Sequence, residues 1–241
     1  MIPYWMSRTQ LMLGDEQVEK LMSKNILIIG LGGVGGICAE MIVRAGIGKM
    51  TIVDNDTIDA SNINRQIPAL HSTIKKSKAQ VLAARLLDIN PLIELTILEE
   101  FVEDESMLAL IEKEPWHYVV DCIDTLSAKV DLIKGCMDRK LNIVSSMGAG
   151  GKLDPSQIKV TDLSKTYECN LARYVRKRLQ ALGIKKGLKV VFSSEKPEQS
   201  RIVETENAYP KKSIIGTLSY MPAIFGCTVA SVVIRDLMAM D

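Results

Sequence analysis

The sequence predicts an α/β fold, a doubly wound and mostly parallel sheet with helices on both faces and a smaller mixed C-terminal extension. Three observations lead there. Residues 26–36 read Ile-Leu-Ile-Ile-Gly-Leu-Gly-Gly-Val-Gly-Gly, an apolar run that suits a strand buried on both faces and then turns tightly through glycines into a helix. A second apolar strand, 49–53, ends in Asp54, nineteen residues past Gly35, where the ribose-binding carboxylate of a Rossmann-like nucleotide fold belongs. Beyond it, segments of strand and helix length alternate to about residue 146, as right-handed parallel crossovers require.

The elements follow in order. A short helix at 15–22, capped by Asp15, precedes the first strand at 26–30. Helix 34–45, strand 49–53, an irregular polar loop to about Thr73 and helix 75–88 come next. Strand 93–98, helix 104–113, strand 118–122, helix 126–139 and strand 142–146 complete the regular part. Past Gly150 the rhythm changes: 157–163 and 189–193 read as strands around a helix at 170–182, while 195–212 reads as a polar, mobile loop. Residues 213–234 carry no charge and are long enough to cross a bilayer. They contain Gly216, Pro222 and Gly226, however, and Arg235 and Asp236 follow directly. A buried strand ending near Tyr220 and a core helix over 222–238, with Pro222 in its first turn, explain the segment without lipid; a membrane-associated tail is the alternative.

With 241 residues the chain can form one large domain with a full core, and 1–241 reads as a single unit: a nucleotide-binding core over 1–150, then a substrate-side extension and C-terminal helix over 151–241. The 47% hydrophobic and 24% charged composition is that of a soluble globular enzyme. Thirty Lys and Arg oppose 29 Asp and Glu, so no global field selects nucleic acid or membrane, and any such partner needs a local patch. Cys38, Cys122, Cys136, Cys169 and Cys227 form no C-x-x-C pair, and with two histidines this argues against a zinc site. An odd count, isolated spacing and no N-terminal signal sequence point to reduced thiols in a cytoplasmic compartment, each an inert core residue by default.

The glycines at 30, 32, 33 and 35 place backbone N–H groups and the positive end of a helix dipole where a phosphate can sit. The loop after Asp54 departs from a plain dehydrogenase crossover: Asp56, then Ser61-Asn62-Ile63-Asn64-Arg65-Gln66, supply amides and a guanidinium able to reach a triphosphate. Lys78 follows at a helix start, and Asp124 lies just past the carboxyl end of a strand, where open α/β sheets bind ligands and a carboxylate could hold Mg²⁺ on phosphates. Each residue has a bland alternative: Asp124 as a cap for a helix beginning near Ser127, Arg65 in a surface pair, Lys78 solvated. Together they form a phosphoryl-chemistry constellation.

These motifs resemble the adenylation domain of the ubiquitin-activating-enzyme superfamily. Within it, Gly148-Ala149-Gly150-Gly151-x-x-Asp154-Pro155 and Val160-Thr161-Asp162-Leu163-x-Lys165-Thr166 resemble the bacterial tRNA threonylcarbamoyladenosine dehydratases. The two C-x-x-C pairs of many carrier-protein adenylyltransferases are missing. One departure stands on the substrate side: Glu168-Cys169-Asn170-Leu171-Ala172 occupies the place of the expected Asp-Pro-Leu-Ala. The bland reading of Cys169 is a buried small residue, the sharp one a thiol nucleophile.

The resemblance implies ATP over the glycine loop with its ribose on Asp54, Mg²⁺ held by Asp124, and Arg65 and Lys78, with Asn62 and Asn64, stabilising charge as a substrate carboxylate attacks the α-phosphorus. It implies a homodimer in which Arg8 reaches the partner's triphosphate, tRNA carrying threonylcarbamoyladenosine as substrate, a monovalent cation (Na⁺ or K⁺), and a cysteine-desulfurase or sulfur-acceptor partner. For the tRNA the sequence offers a basic stretch, Arg173, Arg176, Lys177, Arg178, Lys185, Lys186 and Lys189, opposite Leu171, Val175, Leu179 and Leu182. Such a run is also what an ordinary solvated helix face looks like. Three rival classes stand beside this reading: an adenylyltransferase for a small carrier protein, a nicotinamide-dependent oxidoreductase, and a non-catalytic scaffold of the same fold.

Overall fold

A computed structural model describes residues 1–196, 198, 202–204 and 213–240. Its centre is strand β1 (Asn25–Ile29), buried at every position. Ile26 and Ile28 face one core cluster and Leu27 and Ile29 the other, the alternation of a strand covered on both sides. Burying such side chains contributes about 1.5–3 kcal/mol each, enough to exceed a backbone ordering cost of about 1–2 kcal/mol per residue.

Around it stand β2 (Lys49–Val53), β3 (Glu94–Leu98), β4 (Tyr118–Asp121), β5 (Ile143–Ser146), β6 (Ile158–Asp162) and β7 (Lys189–Ser193), in the order β3-β2-β1-β4-β5-β7-β6. All neighbours run parallel except β6, which pairs antiparallel with β7 as Val160 opposite Val191. The mostly parallel sheet and its mixed C-terminal end agree with the predicted fold class. Helices α1 (Ser7–Leu13), α2 (Asp15–Met22), α3 (Gly35–Arg44), α4 (Lys78–Ile89), α5 (Asp104–Glu112), α6 (Leu126–Asp138), α7 (Asn170–Ala181) and α8 (Tyr220–Ala239) cover it. Residues of α3, α4 and α8 build one core cluster and those of α5, α6 and α7 the other.

The strand order reverses between β1 and β4, and in open α/β sheets the crevice at such a reversal is the ligand site. Two tight contacts close its floor. Gly30, at φ +89°, lies where a β-carbon would be 2.6 Å from Cys122 O, and a β-carbon at Gly35 would be 1.7 Å from Gly30 O. Glycine at both positions is thus fixed by strand-to-helix packing.

Several expected boundaries shift for identifiable reasons. Asp15 does not cap α2; Gly14, at φ +80°, does, and Asp15 is the first helical residue, its carboxylate favoured by the dipole and accepting from Gln10 Nε2 at 2.8 Å. Helix α1 was absent from the expected elements altogether. Helix α4 begins three residues late because Lys75, at φ +67°, and Lys76 exchange backbone hydrogen bonds with Ile58, leaving Ser77 as the cap that accepts from Gln80 N. Strand β9 (Ser213–Ile215) ends well before Tyr220 and pairs antiparallel with β8 (Ile202–Glu204), inside what reads as a mobile loop; the rest of 195–212, apart from 195, 196 and 198, lies outside the described residues.

Helix α8 is long and apolar enough to cross a membrane, yet Met221, Phe225, Gly226, Val229, Ala230, Val232, Val233 and Leu237 are buried in the core. It crosses α3 at Gly226, where a β-carbon would sit 2.5 Å from Val34 O. This is the core helix that the sequence favours, with Pro222 in its first turn.

Candidate active site

The glycine turn, residues 30–36, is shaped mostly by the protein itself. Gly33 sits against α8, where a β-carbon would meet Pro222 at 2.8 Å and Arg65 O at 3.1 Å. Gly32 is different: the nearest atom to a β-carbon there, Gln66 Nε2, is 3.8 Å away, so packing alone would admit a side chain. A glycine that packing does not demand fits a backbone approached by something external, as by a phosphate. Beside it, Gln66 is 8% exposed and its Oε1 has no hydrogen-bond partner, a cost of about 1–3 kcal/mol that a ligand could relieve. Its Nε2 already lies on the Gly32 side, so the amide presents N–H donors to an anion held there.

Asp54, at the end of β2, binds the turn directly: Oδ2 accepts from Leu31 N at 2.7 Å and Oδ1 from Asp56 N at 2.8 Å. Burial pushes its carboxyl above the usual range despite those two bonds and the nearby Lys78 charge. Asp56 is exposed and receives Lys78 Nζ at 2.6 Å; the Lys78 side chain, at the first position of α4, is buried. The lysine is therefore pre-placed at the crevice but paired, and it must share or leave Asp56 to meet a phosphate.

The loop from Asp59 to Gln66 is held by a reciprocal cap. Asp59 accepts from Ser61 N at 2.8 Å, and the buried Asn62 Oδ1 accepts from Asp59 N at 3.2 Å. Asn62 thus shapes the loop. Arg65 Nη1 donates to Ser61 O at 2.8 Å and Asn64 Oδ1 at 2.9 Å, and Asn64 Nδ2 donates to Thr217 O at 2.9 Å, tying the loop to the approach of α8. The guanidinium is oriented by its own loop, and only Nη1 is bonded among the described residues.

Across the crevice Asp124 is exposed on the loop after β4. It does not cap α6; the residue before that helix is Thr125, which makes no side-chain cap bond. The loop is anchored from beneath by a buried ion pair that the sequence pattern does not announce. Lys129 and Asp121 are both fully buried and paired at 2.7 Å. Lys129 Nζ also donates to Ser145 Oγ at 3.2 Å and Ser146 O at 2.9 Å, while Asp121 Oδ1 accepts from Ile123 N at 3.0 Å. One ammonium thus fixes the roots of the loops after β4 and β5. Its sequence signal was slight: a lysine amid the buried residues of an otherwise amphipathic helix.

The segments after β5, β6 and β7 are also held together by side chains. Lys152, buried, donates from Nζ to Glu168 O at 3.0 Å and to Glu195 O. The Glu195 carboxylate accepts from Leu153 N and Asp154 N, each at 2.8 Å. Burial pushes the Lys152 ammonium below its usual range. Cys169 is buried next to this junction, the bland reading of that residue. Two other thiols depart from the inert-core default: Cys122 is half-buried against the glycine turn and Cys227 is exposed.

The basic stretch separates into parts. Arg176 is half-buried, its Nη1 donating to Leu163 O, Thr166 O and Thr166 Oγ1, so it locks α7 to the segment before it. Lys189 bonds Asp236 at 2.6 Å at the opposite edge of the sheet, in a cavity of about 270 Å³ where Tyr118 OH also donates to Asp236. Exposed cations on α7 are Arg173, Lys177 and Arg178, the last donating to Ser127 Oγ at 3.0 Å; Lys185 and Lys186 lie exposed beyond it. The buried stripe is Ala172, Val175 and Leu179, with Leu182 turned out. Arg8 is exposed on α1, among the exposed Tyr4, Leu11 and Met12, far in sequence from the glycine turn.

The chain matches the ThiF family over residues 6–240. It is 36% identical over 239 residues to the tRNA threonylcarbamoyladenosine dehydratase of Bacillus subtilis, covering 96% of this chain and 94% of that protein. The crystal structure of the Escherichia coli tRNA N6-threonylcarbamoyladenosine dehydratase TcdA in complex with ATP superposes with a TM-score of 0.87 at 34% identity, covering 97% of this chain and 93% of that one. The E. coli sulfur carrier protein ThiS adenylyltransferase, by contrast, matches over 149 residues, 60% of this chain. A glycine turn at the switch point of a doubly wound sheet, with likeness along nearly the whole chain, identifies this protein as a member of the ThiF family.

Proposed function

We propose that this protein catalyses the ATP-dependent dehydration of threonylcarbamoyladenosine in tRNA through a carboxyl-adenylate, working as one adenylation unit over residues 1–241. The observation that carries the reading is the reach of the similarity to the B. subtilis dehydratase, which extends through the substrate-side extension as well as the nucleotide core.

ATP would lie over the glycine turn, its phosphates against Gly32 and the Gln66 amide and its ribose on Asp54. The threonyl carboxylate attacks the α-phosphorus, the bond to the β-phosphate breaks, and pyrophosphate leaves. Arg65, oriented by Ser61 and Asn64, and Lys78, poised on Asp56, stabilise the charge that builds on the phosphoryl oxygens. An atom of the same carbamoyl-threonine then closes on the activated carbonyl and expels AMP, which carries away the oxygen lost as water. No external nucleophile is needed, which agrees with the burial of Cys169.

Asp124 would hold Mg²⁺. The donor set fits: Asp124 is an exposed carboxylate on the loop after β4, and Mg²⁺ characteristically takes one or two carboxylates plus substrate phosphates. When bound, the ion supplies charge neutralisation on those oxygens.

A second copy of the chain would cover the exposed apolar Tyr4, Leu11 and Met12 of the N-terminal segment and would bring Arg8 to the neighbouring site. The test is nucleoside analysis of tRNA carrying threonylcarbamoyladenosine after incubation with the protein, ATP and Mg²⁺. A product one water lighter, with AMP released, is expected. Unchanged tRNA together with carrier-dependent ATP–pyrophosphate exchange would keep the adenylation and overturn the substrate.

A further inference from the structure

Helix α7 carries Arg173, Arg176, Lys177 and Arg178 and no carboxylate, and two tyrosines that the charge pattern alone does not explain stand exposed beside it. Tyr174 is 49% exposed with the Arg173 guanidinium 4.9 Å from its ring centroid. Tyr167, 51% exposed, has Lys159 Nζ 5.2 Å from its ring centroid, and its edge packs on the buried Phe192 at 5.6 Å. Cation-flanked, half-exposed rings are what unstacked nucleobases select.

Their position points the same way. Tyr167 immediately precedes Glu168, whose carbonyl is held by Lys152 from the loop after β5, and a β-carbon on Gly148 in that loop would touch Leu171 at 3.8 Å. The start of α7 therefore lies at the carboxyl edge of the sheet. Tyr174 and Arg178 occupy one row of the helix, a turn apart, and Arg178 bonds Ser127, three residues past Asp124.

We infer that Tyr174, backed by Arg173, is a base-stacking platform for a single-stranded RNA loop at the substrate edge, with Tyr167 a second exposed ring beside the start of the same helix. This rests on the tRNA reading above and adds to it a mode of recognition: Lys177 and Arg178 meet phosphates, and the rings meet bases. The two contributions differ in their salt dependence, since counterion release accompanies phosphate contacts and not stacking.

The experiment is fluorescence anisotropy of the full chain with an anticodon stem–loop RNA carrying threonylcarbamoyladenosine, across a salt series. Tyr174→Ala is expected to weaken binding about 5- to 150-fold, the range of one lost base stack, by the same factor at every salt concentration. Tyr174→Phe should restore most of the affinity, and Lys177→Glu should instead flatten the salt slope. Thermal melting shows whether each variant is folded, and Tyr167→Ala gives an independent second reading. Wild-type affinity in both alanine variants would overturn the inference, as would a changed oligomeric mass without loss of RNA binding, which would mark a protein interface. If the wild-type chain itself binds no RNA, the tRNA reading falls; if it binds and the tyrosines do not matter, only the stacking platform does.

Discussion

The two loops that meet at the carboxyl edge of the sheet are built in opposite ways. The turn after β1 is a backbone device: Gly30 and Gly35 have no space for a β-carbon, and Asp54 holds the turn through main-chain N–H groups. The segments after β5, β6 and β7 are joined by side chains reaching across: Lys152 to Glu168 and Glu195, Arg176 to Leu163 and Thr166, Tyr220 OH to Leu153 O. A nucleotide phosphate is the same in every adenylating enzyme, so a fixed backbone suffices. If these segments hold the substrate, as proposed, they must suit a particular acyl group, and side chains can be exchanged one at a time without disturbing the sheet.

That contrast can be tested where its effect is largest. Arg65→Ala and Asp124→Ala are expected to lower ATP turnover by about 10³- to 10⁵-fold, judging from other phosphoryl-transfer cations, with thermal midpoints near wild type. Near-normal turnover in a folded Arg65→Ala protein would remove that residue from the chemistry. The glycines give a sharper division. Gly35→Ala should cost more than about 4 kcal/mol or prevent folding, because no side-chain movement can clear Gly30 O. Gly32→Ala should melt within about 0.5 kcal/mol of wild type yet bind ATP at least about tenfold more weakly by calorimetry. If Gly32→Ala binds ATP normally, the open face of the turn is not the phosphate cradle.

Legibility in the sequence follows the same division. The glycine spacing, the apolar strands and Asp54 announce the nucleotide half because backbone geometry and burial leave few alternatives. Pairing of β6 against β7, the short β8–β9 hairpin and helix α1 were harder to see or were missed, since their stability comes from tertiary neighbours. The loops bring Asp54, Asp56, Asn62, Arg65 and Lys78 to one side of the glycine turn, but the sequence pattern does not give their bonding partners. Nothing in the spacing of Lys78 and Asp56 shows that they pair, and the charge pattern of α7 does not distinguish Arg176, whose guanidinium bonds Thr166, from its exposed neighbours. Long side chains choose partners in three dimensions, and the one-dimensional pattern records only that a charge is there.

The Lys129–Asp121 pair is a case where side-chain construction enters the nucleotide half. Lys129→Met strands a carboxylate with no exposure and is expected to cost about 3–5 kcal/mol by chemical denaturation. Adding Asp121→Asn should recover part of that loss, because the remaining buried group is then neutral. If the double variant is as unstable as the single one, the pair is not the dominant anchor of the two loops.

The smallest effect is away from the site, at Glu40 on α3, and it separates stability from nucleotide binding. Its carboxylate is nearly buried and receives Arg44 Nε at 2.9 Å and Arg85 Nε at 2.5 Å, joining α3 to α4. Burial acts to raise its pKa, but the hydrogen bonds and charges of Arg85 and Arg44 together outweigh it, and the net shift is downward. A depressed carboxylate contributes stability above its unfolded pKa, and the contribution is lost as pH falls through the folded value. Glu40→Gln should therefore cost about 1–2 kcal/mol near pH 7, modest because both arginines are half-exposed, and the difference from wild type should shrink as pH falls below the ordinary glutamate value of 4.5. ATP affinity at pH 7 should stay at the wild-type value. A stability difference that grows in acid would reverse the sign assigned to this pair, and a loss of ATP affinity would extend the backbone-built site into the α3–α4 contact.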